Sequence, residues 1–254
     1  MTTFKALESS KDEDQNTLSI IEKNIDDLPD GDILIKVSYS SLNYKDALSA
    51  SGSPGVTKNY PHTPGIDAVG HVQESSDSAF KEGDVVIVTG YDLGMNTAGG
   101  FGQYIRVPAH WVIKLPNGLN EVEAMSLGTA GLTAGLSIQA LEKYSSTTGF
   151  EGSKSIVTGS TGGVGSIAVM LLSKLGSEVT AVTGKNTQKS FLENLGASEV
   201  ISREELSEMT RLPMGKPIWD LGVDVVSGNT LSLLLSSLKP GCSSVQWSSR
   251  RSIF

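Results

Sequence analysis

From residue 33 the chain takes on a two-residue period: Ile33, Ile35, Val37 and Tyr39 are apolar, with Lys36 and Ser38 between the later ones. A strand with one buried face requires this pattern, and a helix does not. Further short strands are predicted at 66–72, 85–89, 104–107 and 111–114, separated by the turn-forming clusters SGSPG (51–55), KEGD (81–84) and TAGGFG (97–102). Residues 1–120 therefore read as an antiparallel, barrel-like β domain.

The period changes near Asn120. Residues 121–141 carry Ala, Leu, Met and Gly at helical spacing, predicting one or two helices that join two domains. From Lys154 strands and helices alternate, the sequence form of a parallel sheet with crossover helices. Strands are predicted at 155–158, 178–183, 199–202 and 223–226, with helices at 164–175, 186–195 and 229–238. In the first of these helices Val164, Ile167, Ala168, Leu171, Leu172 and Leu175 form one apolar stripe. After about residue 241 the pattern gives way to CSSVQWSSRRSIF, with at most a fifth strand in 244–247 where a doubly wound sheet normally has six. The second domain, 121–254, is thus expected to be α/β and incomplete.

Composition narrows the function. The 254 residues hold 20 Lys and Arg against 28 Asp and Glu, a net charge of −8, which argues against a nucleic-acid partner held through its phosphates. The single cysteine, Cys242, forms no internal disulfide, and His62, His71 and His110 are scattered rather than spaced as zinc ligands. A cytoplasmic setting is the expectation. The start, MTTFKALESSKDEDQ, lacks the apolar core of a signal peptide. The long uncharged stretch 155–173 is only about half apolar and is interrupted by Gly and Thr, so no membrane span is expected.

The chemistry concentrates in IVTGSTGGVGSIAVMLL, residues 156–172. A strand runs into Gly159, Thr161, Gly162, Gly163, Val164 and Gly165, and a helix begins at once. Glycines there permit a tight turn and close approach of a pyrophosphate, which the free N–H groups of the helix start attract. A plain glycine-rich turn is the alternative. About twenty residues on, where an NAD site would place an acid on the ribose 2′-hydroxyl, the chain reads Thr183, Gly184 and Lys185. A hydroxyl, a small residue and a cation suit the 2′-phosphate of NADPH, although Lys185 can also be read as a solvated surface lysine. Arg203, after the third strand of this domain, is a weaker candidate for the same edge.

The segments SSLNYKDAL (40–48), PHTPGIDAVGHV (61–72), GTAGLTA (128–134), VTGSTGGVGSIAV (157–169) and LGASEVISR (195–203) resemble the medium-chain dehydrogenase/reductase superfamily, in its zinc-free quinone-oxidoreductase-like branch with acrylyl-CoA reductases. The resemblance implies a GroES-like β domain, then a Rossmann domain, with the cofactor in the cleft between them. Zinc-dependent relatives carry a Cys in the stretch matching 40–46 and a His-Glu pair after the glycine matching Gly65. Here Asn43 and then Ile66-Asp67 stand in those places, so no catalytic zinc is expected. Family likeness places Tyr44 at the cofactor, with Asn43, Lys45 and Asp46 shaping access. The alternatives are a domain-interface aromatic at Tyr44 and a surface ion pair between Lys45 and Asp46.

The resemblance implies a zinc-independent, NADPH-dependent oxidoreductase that passes hydride to a small molecule, either the activated C=C of a 2-enoyl (acrylyl-CoA type) thioester or a quinone. The other expectation, drawn from the altered end, is a truncated or frame-shifted family member without turnover, at most a nucleotide-binding module, in which the family's homodimer is doubtful.

Overall fold

The computed structural model describes residues 2–12, 15–53, 55–145, 149–209 and 217–247. Two compact units are present, Met1–Thr129 and Ala130–Phe254.

The first unit opens with a hairpin that the hydrophobic period does not announce: β1 (Thr3–Asp12) and β2 (Gln15–Asn24), paired antiparallel from Thr3 opposite Asn24 to Asp12 opposite Gln15. Most of its residues are charged or hydroxylic and β2 is largely exposed, so no alternating face marks it. Backbone pairing holds it in place. Ser9 and His62 each donate an N–H to the other's carbonyl at 2.8 Å, and Leu7 N–H donates to the Phe101 carbonyl at 3.0 Å. Phe4 and Ala6 supply the buried anchor.

The rest of this unit is built on β3 (Ile33–Tyr39), β4 (Asp67–Ser75), β5 (Val85–Thr89), β6 (Tyr104–Val107) and β7 (Val112–Lys114). They form one antiparallel sheet in the order β6-β3-β4-β5-β7. Ile33, Ile35, Val72, Val86, Val88 and Ile105 pack on one face. Val69 and Ile87 turn to the other, where they meet Ala124 and Met125 of the helix α2 (Glu121–Tyr144). Both faces are covered, which is why the alternation is clean in only part of β3. The short helix α1 (Tyr44–Ala50) lies between β3 and β4. α2 bends at Gly128, whose φ of 47° and ψ of −153° leave the helical region.

The second unit alternates as the period requires: β8 (Lys154–Thr158), α3 (Gly163–Lys174), β9 (Glu178–Val182), α4 (Lys189–Asn194), β10 (Glu199–Ile201), α5 (Arg203–Met209), β11 (Trp219–Asp224), α6 (Asn229–Ser237) and β12 (Leu238–Gln246). The sheet is parallel, in the order β10-β9-β8-β11-β12. Along β8, Ile156 joins Val182, Ile201, Trp219 and Leu234 on one face, while Val157 joins Ala168, Leu172, Ala181 and Leu221 on the other. Two covered faces make a doubly wound sheet.

Three details differ from the sequence reading. β11 begins at Trp219, not 223, because the Trp219 indole is buried and donates from Nε1 to Thr180 Oγ1 at 3.2 Å. β12 is a full edge strand rather than a fragment at 244–247, and it accommodates Pro240 because an edge strand leaves one row of N–H groups unpaired. α5 follows a reciprocal cap, in which Ser202 N–H donates to Glu205 Oε2 at 2.6 Å and Glu205 N–H donates to Ser202 Oγ at 3.0 Å. That Ser-x-x-Glu spacing was legible in the chain. Among the described residues no helix is long and apolar enough to cross a membrane.

Candidate dinucleotide site

In the order β10-β9-β8-β11-β12 the chain moves outward from β8 to β9 and β10, then returns to the other side at β11. The strand order reverses between β8 and β11, and ligands of open α/β sheets bind beyond the carboxyl ends at such a point. The glycine loop leaves β8 there. Gly159 has φ +61°, and Gly162 donates its N–H back to the Gly159 carbonyl at 2.9 Å, closing the turn. A Cβ on Gly165 would stand 2.4 Å from the Gly159 carbonyl oxygen, so only glycine lets α3 start this close to the loop.

Gly162 caps α3 without any side-chain hydrogen bond, and the first turn carries no acid. Among the described residues no N-cap side chain bonds the N–H groups that begin the helix, and the positive end of the helix dipole lies behind them. Gly162 and Gly163 are exposed, Thr161 is half-buried with its hydroxyl 3.4 Å from that of Thr183, and Val164 turns its side chain partly into the core.

At the carboxyl end of β9, Thr183 is buried and receives the N–H of Lys185 on its Oγ1 at 3.1 Å, which folds the Thr-Gly-Lys turn. Gly184 and Lys185 are exposed. Arg203, the first residue of α5, lies against this turn: a Cβ on Gly184 would stand 3.5 Å from its Nε and 3.6 Å from its Cζ. Among the described residues neither Lys185 nor Arg203 enters an ion pair. Beside them an open groove of about 450 Å³ is lined by Thr183, Lys189, Val200, Ile201, Ser202 and Glu205. The hydrogen bonds from Ser202 hold the Glu205 carboxyl below its ordinary range, with Lys189 assisting. Sequence reasoning did not single out Lys189 and Glu205, whose proximity depends on α4 and α5 flanking one groove.

In the first unit, Tyr44 opens α1 and is 67% exposed. Asn43 is the N-cap, accepting from Lys45 N–H at 3.1 Å. Asp46 is not in a surface ion pair with Lys45. It is buried and accepts the N–H groups of Asn43 at 2.7 Å, Ile66 at 2.9 Å and Gly65 at 3.1 Å. Burial raises its pKa above the ordinary aspartate value, opposed by those three bonds and aided by the charge of Asp67. Asp67 is also buried. Its carboxylate accepts Ser41 Oγ at 2.5 Å and Thr129 through both N–H at 3.0 Å and Oγ1 at 2.7 Å.

Comparison with known proteins agrees with this architecture. The alcohol dehydrogenase GroES-like domain family matches residues 29–117. YhfP of Bacillus subtilis, named as a quinone oxidoreductase, is 43% identical over 240 residues, covering 94% of this chain and 72% of that protein. The chain belongs to the medium-chain dehydrogenase/reductase superfamily. Within the superfamily, acrylyl-CoA reductase AcuI of Ruegeria pomeroyi is 41% identical over 242 residues, 94% of this chain and 73% of that one. The solved structure of YhfP with NAD bound superposes with a TM-score of 0.91, covering 97% of this chain and 74% of that chain. The yhdH oxidoreductase of Salmonella enterica in complex with NADP does so at 0.89 with 37% identity, covering 95% and 74%. This superfamily member is thus an oxidoreductase with a GroES-like unit followed by a Rossmann-like one.

Proposed function

We propose that the chain binds NADPH and reduces a conjugated acceptor, the C=C of a 2-enoyl thioester or a quinone, without a metal. The observation that carries the cofactor choice is the meeting of Thr183, Gly184, Lys185 and Arg203 at the end of β9, with no acid in that turn and two cations lacking acidic partners among the described residues. A 2′-phosphate fits that donor set, and a free 2′-hydroxyl leaves both cations unused. The uncapped start of α3 at Gly162 and Gly163 suits the pyrophosphate, with Thr161 and the Val164 N–H beside it.

When bound, NADPH supplies the hydride. The protein's part is to hold and orient: the loop fixes the phosphates, and Lys185 and Arg203 fix the adenosine end. From the first unit the resemblance adds Tyr44, whose exposed ring leaves α1 pointing outward. The metal-free reading rests on the residues standing where zinc-dependent relatives carry ligands. Asn43 spends its oxygen on capping α1, Ile66 is a buried hydrocarbon, and both oxygens of Asp67 accept hydrogen bonds.

Fluorescence titration with NADPH and NADH tests the cofactor: NADPH is expected to bind at least tenfold tighter, and equal or tighter NADH binding overturns the proposal. Loss of NADPH absorbance with acryloyl-CoA and with a quinone then identifies the acceptor. Binding without turnover of either would leave the chain as a nucleotide-binding module. Relatives named for both acceptors support each: the YhfP of B. subtilis the quinone, the AcuI of R. pomeroyi the thioester.

A further inference from the structure

The two strands that part at the switch point are joined by a buried carboxylate that no binding or catalytic role has yet absorbed. Asp224 ends β11 and has no exposed surface. Its Oδ1 accepts the hydroxyl of Thr158, the last residue of β8, at 2.6 Å, and its Oδ2 accepts Ser227 N–H at 2.8 Å. The same Thr158 hydroxyl accepts Val225 N–H at 3.2 Å. Ser227 stands at φ +68°, a left-handed conformation that a non-glycine residue holds only under restraint. Two bonds restrain it: the one to Asp224, and a 2.6 Å bond that its hydroxyl accepts from Gln246 Nε2 on β12.

This turn touches the glycine loop. A Cβ on Gly159 would stand 2.7 Å from Val225 Cγ2 and 3.0 Å from Val226 Cγ2, so the two valines form the wall against which the loop's first glycine is laid. The valines are placed by the turn, and the turn by the carboxylate. Thr158, the residue immediately before Gly159, ties that carboxylate to the start of the loop.

We propose that Asp224 is a positioning residue for the phosphate loop: through Thr158 and Ser227 it sets the gap between the 225–228 turn and Gly159, and so the geometry of the loop's N–H groups toward a pyrophosphate. This inference rests on the NADPH reading above. It predicts that the network matters to the pyrophosphate end of the cofactor and not to the adenosine end, which β9, β10 and α5 hold.

The test measures two dissociation constants on the full chain, for NADPH and for adenosine 2′-phosphate, which carries the adenosine end without the pyrophosphate. Thr158→Val is expected to weaken NADPH about tenfold, the effect of about one lost hydrogen bond to a charged group, while leaving adenosine 2′-phosphate within twofold. Thr158→Ser, which keeps the hydroxyl, is expected to restore NADPH binding. Asp224→Asn is the second variant, with the same direction expected. Unaltered NADPH affinity in folded Thr158→Val and Asp224→Asn overturns the inference. So does parallel loss of both ligands in both variants, which would make the network a general support of the unit. Failure of the unaltered chain to bind NADPH overturns the NADPH reading and this inference with it.

Discussion

Arg203 lies across Gly184, its guanidinium within 3.5 to 3.8 Å of where a Cβ on that glycine would stand. Nineteen residues separate the two, yet β9 and β10 run side by side, with Thr183 N–H donating to the Ile201 carbonyl at 3.0 Å, and so bring the turn and the start of α5 together.

The pairing makes Arg203 a specificity residue under the NADPH proposal. Arg203→Ala and Lys185→Ala are each expected to weaken NADPH about tenfold or more, since a hydrogen bond to a charged group contributes about 1.5–3 kcal/mol, and to leave NADH nearly unchanged. Parallel titrations with both dinucleotides read this difference directly. Lys185→Asp is expected to reverse the preference by placing an acid at the ribose.

Two glycines of one loop should behave differently. Gly165→Ala forces a Cβ to 2.4 Å from a backbone oxygen, so the helix start must shift, and a melting temperature lower by several degrees is expected. Gly162→Ala meets only the Gly159 oxygen at 3.3 Å and sits at φ −83°, which alanine tolerates. Its fold should survive, while its methyl group, on the exposed rim, weakens NADPH binding. Thermal melts and titrations on the same two variants separate the effects.

Acid should loosen the first unit through His62. Among the described residues its buried Nε2 has no hydrogen-bond partner, and burial holds its pKa below the ordinary 6.5, with Lys23 acting in the same direction while the Gly94 carbonyl and Asp92 oppose it. The unfolded chain takes up a proton near 6.5 and the folded one resists, so this group's effect is absent above that pH. As pH falls from 6.5 toward the folded-state value, stability declines, by at most about 1.4 kcal/mol per pH unit for one proton. Denaturant melts of the unaltered chain and His62→Gln across that window should show the slope shrinking in the variant; an identical slope rules His62 out as its source.

Metal removal is expected to change nothing. Purified chain should carry far less than one zinc per molecule by elemental analysis, and chelation should leave both melting temperature and NADPH affinity where they were. Stoichiometric zinc would contradict the metal-free proposal. Asp67→Ala, by contrast, is expected to destabilise by about 3 kcal/mol or more, because Ser41 Oγ and both Thr129 donors lose their acceptor.

Much of this protein is written in short-range pattern. The two periods, the glycines of 159–165 and the Thr-Gly-Lys turn are local, since strand alternation, helix stripes and tight turns depend on neighbours a few residues apart. So the β-rich first unit, the parallel second unit and the glycine turn that opens α3 were legible. The hairpin β1–β2 was not, because its buried apolar anchor is only Phe4 and Ala6 and the backbone that pairs with it, at Phe101, Gly102 and His62, lies far along the chain. The carboxylates are the sharper case. Asp46, Asp67 and Asp224 look like any surface acids in the sequence, and only folding places each against donors 3 to 66 residues distant, where burial without those partners would be prohibitive. Spacing marked which residues are candidates for the site; the sheets decided which side chains meet there, because contacts between strands depend on register and not on distance along the sequence.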